Sequence, residues 1–283
     1  MSALDLQIFG PGIVVALLVA VLGGLLSVVV VLKRLAFVGQ GVSHAAFGGV
    51  GLAALLGLNA MDGADPVLRT ATVAAFSIGA GLLVSHLAKR VQKRTDAAIG
   101  IVMTASMALG FVLYRLAAER AAAAGTGPLA SMEGVLFGEL LSISAGAAWT
   151  TLVASVVIAG ALFWFRRAIL LWAFDEPACE PAGVSASRTG TVVLVLLAGA
   201  VVLAVQVAGV VLATAALVLP GATALRLTRS LVPVFVVSVV VALVTVSAGI
   251  WLSVVLDWPP GSTIALTQCV AWGLAAVATG WRR

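Results

Sequence analysis

The stretch from Gly190 to Leu225 reads GTVVLVLLAGAVVLAVQVAGVVLATAALVLPGATAL, and no charged residue interrupts it. A helix needs about 20 apolar residues to cross the hydrocarbon core of a bilayer, so this run is too long for one crossing and barely long enough for two. Only Gln206 and Gly209 hint at a place to turn. Whether the run crosses once or twice sets the parity of the whole chain, and with it which loops share a side.

The remainder of the chain supplies the means of deciding. Of 283 residues, 62% are hydrophobic and 10% are charged, and the mean hydropathy is +1.20. These values exclude an ordinary soluble domain and point to a polytopic membrane protein. Apolar runs of spanning length cover approximately 12–32, 42–59, 66–88, 97–116, 143–165, 190–206, 208–225, 231–255 and 262–281. The expectation is an all-α membrane protein of about nine transmembrane helices, with eight as the alternative, forming one transmembrane domain over residues 1–283.

Charge decides the parity. Lys33 and Arg34, then Lys89, Arg90, Lys93 and Arg94, then Arg166, Arg167 and Arg188, then Arg226 and Arg229, then Arg282 and Arg283 share one side if the run is crossed twice. Basic residues concentrate on cytoplasmic loops, so the N-terminus is expected outside and the C-terminus in the cytoplasm. Arg69, Arg115 and Arg120 then fall outside. The alternative for Gly190 to Leu225 is a re-entrant element with a broken helix, tolerated where protein shields the backbone. The formal net charge of +5 comes from short clusters between apolar runs, a pattern of membrane orientation and not of a nucleic-acid-binding stripe. MSALDLQIFGPG at the start carries an acid and no basic residue, so the first span is expected to be retained.

Two connecting segments are longer than turns. Residues 117–142, AAERAAAAGTGPLASMEGVLFGELLS, lie outside on this topology, and residues 166–188, RRAILLWAFDEPACEPAGVSASR, lie inside. In the inner loop an apolar run ends at Phe174, Asp175-Glu176-Pro177 suits a helix start and Gly183 suits a stop. A short amphipathic helix at the cytoplasmic surface is expected. It could rest on lipid headgroups, but the acids Asp175, Glu176 and Glu180 favour a protein partner over anionic lipid.

Cys179, in a polar loop, and Cys269, in an apolar run, form neither a metal-binding spacing nor a disulfide framework. GGVG at 48–51 and SIGAG at 77–81 follow no strand, so they read as close helix packing and not as a dinucleotide fingerprint. Pro220-Gly221 inside a span predicts a kink or interruption. The sequence has no G-x-x-x-x-G-K-[ST] phosphate cradle, so energy is expected from a partner subunit or an ion gradient, and no covalent chemistry is expected here.

Several segments together resemble the permease subunits of manganese, zinc and iron ABC importers. GQGVSHAAFGGV (39–50) is similar to that family's G-D-A-L-S-H-A-x-x-P-G-V, and TDAAIGIV (95–102) to its acid-T-A-I-G-I-V. VLFGELLSIS (135–144) resembles L-L-F-G-[DN]-[IL]-L, and FDEPACEPAGV (174–184) resembles F-D-P-E-x-A-x-x-x-G-V. QVAGVVLATAALVLPGATA (206–224) and DWPPGSTIAL (257–266) resemble the family's last two elements, in the same order.

The resemblance implies a type II importer-like permease fold that pairs with a second copy or paralogue. It implies a cytoplasmic ABC ATPase subunit, an extracytoplasmic metal-binding protein, a bacterial plasma-membrane location with surrounding lipid, and no nucleic-acid partner. Residues 166–188 would be the coupling-helix loop, with Phe174, Asp175, Glu176 and Gly183 at the ATPase contact. A divalent metal ion would be the cargo, with no permanently bound cofactor.

His44 is the residue that most needs a purpose. Ionisable groups within membrane spans are costly and face a bundle interior or cavity, and Gln40 shares its helical face while Ser43 lies beside it. A neutral imidazole is a good ligand for zinc and iron, whereas a packing role would have it donate to a carbonyl of a neighbouring helix. The family's D-x-x-x-H pair implies a metal contact in the translocation path, but the aspartate position here is Gln40, which offers a neutral oxygen and no charge.

Glu139 either draws cations toward the path or makes an interfacial hydrogen bond. His86 reads as interfacial, and Asp96 as a complement to a helix start. Rival readings are permeation of a metal chelate or other small nutrient, an ion-coupled secondary carrier, and a non-transporting scaffold. A carrier commonly uses intramembrane acids, and no Asp or Glu falls at the centre of a span here.

Overall fold

The computed structural model describes residues 3–58, 65–90, 95–125, 143, 145–228 and 230–280. These form helices only: α1 (Ala3–Leu32), α2 (Ala36–Leu55), α3 (Pro66–Arg90), α4 (Thr95–Ala124), α5 (Ala145–Trp164), α6 (Arg166–Phe174), α7 (Ala186–Ala216), α8 (Leu219–Leu227), α9 (Leu231–Leu256) and α10 (Pro260–Ala278). Among the described residues, eight segments are long and apolar enough to cross a membrane by themselves, including Ala186–Gln206 and Gly209–Leu227. The all-helical, polytopic expectation therefore holds.

The uncharged stretch turns where Gln206 and Gly209 hinted. Gly209 sits at φ 78, ψ 172 inside α7, a left-handed backbone that glycine adopts without steric penalty. Directions follow from the neighbours. Gly190 lies against the Trp172 ring, which sits beside Lys33 at the end of α1. Further on, Gly23 of α1 abuts Ala216, and Gly221 abuts Ser27, so this second half runs the same way as α1. The chain leaves the Lys33 end, reverses near Gly209 and returns. The Pro220 interruption is also present: Val218 leaves helical geometry at φ −124, ψ −52, and Pro220 falls in the first turn of α8, where its missing N–H costs nothing.

α2 is not among the eight self-sufficient spans, because Gln40, Ser43, His44 and its glycines lower its apolarity. It is instead wrapped by protein: fourteen of its twenty residues are buried, and it packs on α3, α4 and α7. With α2 added to the eight, the described residues offer nine helices for crossing. Gly51 and Gly110 meet where α2 and α4 touch, so that a Cβ on Gly51 would stand 2.5 Å from the Gly110 carbonyl oxygen. Small residues let helix backbones approach this closely. GGVG at 48–51 is thus a packing seam. SIGAG at 77–81 is not, since Gly79 has nothing within 4 Å and Gly81 only an ordinary contact with Val42.

One further element differs from the sequence-based boundaries. α4 runs on through the alanine-rich stretch to Ala124, because alanine is the best helix former, and Gly125 at φ 67 ends it. The rest of the outer segment, with Glu139, lies outside the described residues. In the core, Ser238 donates from Oγ to the Gly24 carbonyl at 2.7 Å and lies 3.1 Å from Ser27 Oγ, which itself donates to Gly24 O. Buried hydroxyls need partners, and this cluster ties α9 to α1.

Candidate functional site

α2 begins right after a tight turn at Lys33–Leu35, and its first half presents one open face. Phe37 is 63% exposed, Gln40 is exposed and His44 is half-buried. This i, i+3, i+7 stripe is the side that α3, α4 and α7 leave uncovered. His44 Nδ1 is buried without a hydrogen-bond partner, so the ring makes no donation to a neighbouring carbonyl through that atom. Ser43 is fully buried and donates to Gly39 O of its own helix at 2.9 Å. The structure therefore brings Gln40 and His44 together and turns Ser43 into the packed side. Among the described residues no three of His, Cys, Asp and Glu cluster as a metal cage.

Other buried amides are not evident from sequence as site residues. Gln206, which the sequence marks only as a possible break, accepts at Oε1 from Thr70 Oγ1 at 3.0 Å, and its Nε2 is buried without a partner. Gln268 on α10 is 1% exposed, with neither amide atom hydrogen-bonded. A glutamine inside an apolar run is the signal that could have found both. His86 is exposed near the end of α3, and Asp96 stands in the first turn of α4.

The loop over 166–188 folds differently from the expected helix. The regular helix is α6, upstream of the acids, and it buries Ile169, Trp172 and Ala173. From Asp175 to Gly183 the chain forms a capped turn. Asp175 Oδ1 accepts from Ala178 N at 3.2 Å, the expected start signal. Gly183, at φ 72, ends it: Gly183 N donates to Glu180 O and Val184 N to Cys179 O, the paired bonds of a Schellman stop. A longer helix fails because Pro181 has no N–H to give to Pro177. Cys179 is fully buried beneath this turn, whereas Cys269 is exposed.

All four residues expected at a partner contact are exposed; Asp175 spends one carboxylate oxygen on capping and Gly183 shapes the stop. Glu176 also has an internal partner that sequence spacing could not reveal. Lys33 Nζ lies 2.6 Å from Glu176 Oε2 and 4.4 Å from the centroid of the Trp172 ring.

The family model described as the ABC 3 transport family matches residues 5–279. The "Manganese transport system membrane protein MntC" of Halalkalibacterium halodurans is 30% identical over 260 residues, covering 92% of this chain and 83% of that protein. The "Probable iron transport system membrane protein" of Haemophilus influenzae is 30% identical over 277 residues, covering 97% and 95%. Among solved structures, "PsaBC from Streptococcus pneumoniae in complex with Fab" matches with a TM-score of 0.81 at 23% identity, covering 95% of this chain and 92% of that one. That likeness shows a shared fold.

Proposed function

Because the chain belongs to the ABC 3 transport family, we propose that this multi-pass membrane protein is the permease subunit of an ATP-driven importer for divalent transition-metal ions, manganese, zinc or iron. The observation that carries the reading is the family match over nearly the whole chain, joined by relatives named for manganese and iron transport. The open stripe of α2 supports it. His44 offers an imidazole nitrogen and Gln40 a neutral carbonyl oxygen one turn away, both suited to a divalent ion.

Two neutral donors hold a cation weakly, which suits an ion that must leave again. A second copy or paralogue covers the open face, and the cation passes between the two. Ser43 supports the stripe from behind, and Glu139 draws cations in from the outer side. An extracytoplasmic metal-binding protein delivers the ion, and a cytoplasmic ATPase grips the loop around Phe174, Asp175, Glu176 and Gly183, driving alternating access. The N-terminus is outside and the C-terminus inside. ATP hydrolysis takes place on the partner, so this subunit is a conduit and not an enzyme.

Reconstitution with the partner ATPase and binding protein tests this. ATP-dependent uptake of Mn²⁺, Zn²⁺ or Fe²⁺ is expected, with His44→Ala lowering it at least about tenfold and Gln40→Asp binding the ion more tightly and releasing it more slowly. Uptake that needs an ion gradient and no ATPase would refute the importer. Unchanged uptake in both variants would remove the α2 site alone.

A further inference from the structure

We infer that Lys33 is a positioning residue, a strut that carries movement of the 175–183 turn to the helix bearing Gln40 and His44. The inference rests on the reading of that turn as the ATPase contact. Its first support is the contact itself. Lys33 Nζ sits 2.6 Å from Glu176 Oε2, with 15% of the lysine side chain exposed against 55% for the glutamate. The ammonium also lies over the Trp172 ring, and Trp172 is buried. Such a cation is held from two sides, by a carboxylate and by an aromatic face. Unlike the exposed Arg115–Glu119 pair within α4, this one joins two separate elements.

The second support is the stiffness of the turn between Lys33 and α2. Arg34 N donates to Val31 O and Leu35 N to Val30 O, a Schellman stop whose left-handed position is occupied by Arg34 at φ 55. A non-glycine residue held there means that the surroundings fix the turn. Leu35 packs against the cluster of Val29, Trp172 and Cys179, and Gly39 N donates back to Leu35 O. The link has no slack, so a displacement of Lys33 is delivered to the start of α2. His44 lies about two turns along that helix. Asp175 is engaged as the cap of its own turn, which leaves Glu176 as the acid of the turn seen bridging to the transmembrane helices.

The test uses the full complex in proteoliposomes, measuring ATP hydrolysis and Mn²⁺ uptake together. Lys33→Met keeps an unbranched stem over Trp172 and removes the charge; Glu176→Gln removes the other partner. Lys33→Met, which lies outside the ATPase contact, is expected to retain the ATPase and its turnover within about twofold while uptake per ATP falls roughly fivefold or more, and Glu176→Gln is expected to lower uptake per ATP by a similar factor. The swapped pair Lys33→Glu with Glu176→Lys restores at least half of the lost coupling. Unchanged uptake per ATP in Lys33→Met overturns the strut and leaves the importer standing. Loss of ATPase binding in Lys33→Met overturns it too, since the pair would then merely shape the docking surface. Uncoupling that the swap does not relieve assigns the effect to packing around Trp172 and likewise overturns it. Failure of the parent chain to bind any ATPase sinks the importer reading and the strut with it.

Discussion

The tight contact between α2 and α4 offers the sharpest stability test. A methyl group added at Gly51 would stand 2.5 Å from Gly110 O and 3.0 Å from Gly110 Cα. Both are backbone atoms, so no side chain can rotate aside. Relief requires α2 and α4 to separate by about 1 Å, and overpacking of this kind costs about 1–3 kcal/mol. For a chain of this size that predicts a fall in melting temperature of about 2–4 °C per kcal/mol, readable in detergent by a thiol-independent thermal assay. Gly79→Ala is the internal control, because nothing lies within 4 Å of Gly79. There a methyl is expected to be neutral or to stabilise by up to about 1 kcal/mol, through helix propensity alone. Gly110→Ala pushes on the same seam from the other side, against Phe47 and Gly48, so its cost and that of Gly51→Ala are not additive. A Gly51→Ala protein as stable as the Gly79→Ala protein would refute the seam.

Three further outcomes are expected. Ser238→Ala removes the 2.7 Å donation to Gly24 O and should destabilise by about 0.6–2 kcal/mol, checked in the same melting assay. Gly183→Ala forces a side chain into φ 72 at about 1–2 kcal/mol, loosening the 175–183 turn, with weaker ATPase capture and faster proteolysis of the loop as the readouts. Cys179, fully buried, should react slowly with a maleimide in the intact protein and at least about tenfold faster in Gly183→Ala; equal rates would show that the turn does not guard the thiol.

Much of the fold was legible because crossing a bilayer leaves a long, crude signal. The spans at 66–88 and 231–255 come within a few residues of α3 and α9, and basic clusters fixed the parity that the Gly209 reversal then satisfied. The Pro220 interruption and the Gly183 stop were readable from local backbone chemistry. The hidden features depended on partners far along the chain. Glu176 and Lys33 are 143 residues apart, and no local pattern announces their meeting. Whether a glycine is a seam, as at Gly51, or faces open space, as at Gly79, depends on the neighbouring helix and not on the motif. The inner loop misled for a local reason: start and stop signals were present, but Pro181 between them removes the N–H that a regular helix needs. In the candidate site, Gln40 and His44 could be paired by spacing alone. That Ser43 turns away is set by where α2 is wrapped.

The wrapping of α2 has a consequence for biogenesis. A helix carrying a glutamine, a serine and a histidine partitions poorly from water into lipid when alone, while α1 before it and α3 after it qualify unaided. Only Lys33 to Leu35 separate α1 from α2, so α2 enters directly behind α1, while the helices that enclose it, α3, α4 and α7, all follow it in the chain. α2 then gains its full enclosure only after α7 has been synthesised, some 150 residues later by position. Ribosomes stalled before that point would leave α2 dependent on an insertase or chaperone, and its late settling is the step at which assembly of this bundle is most exposed to failure.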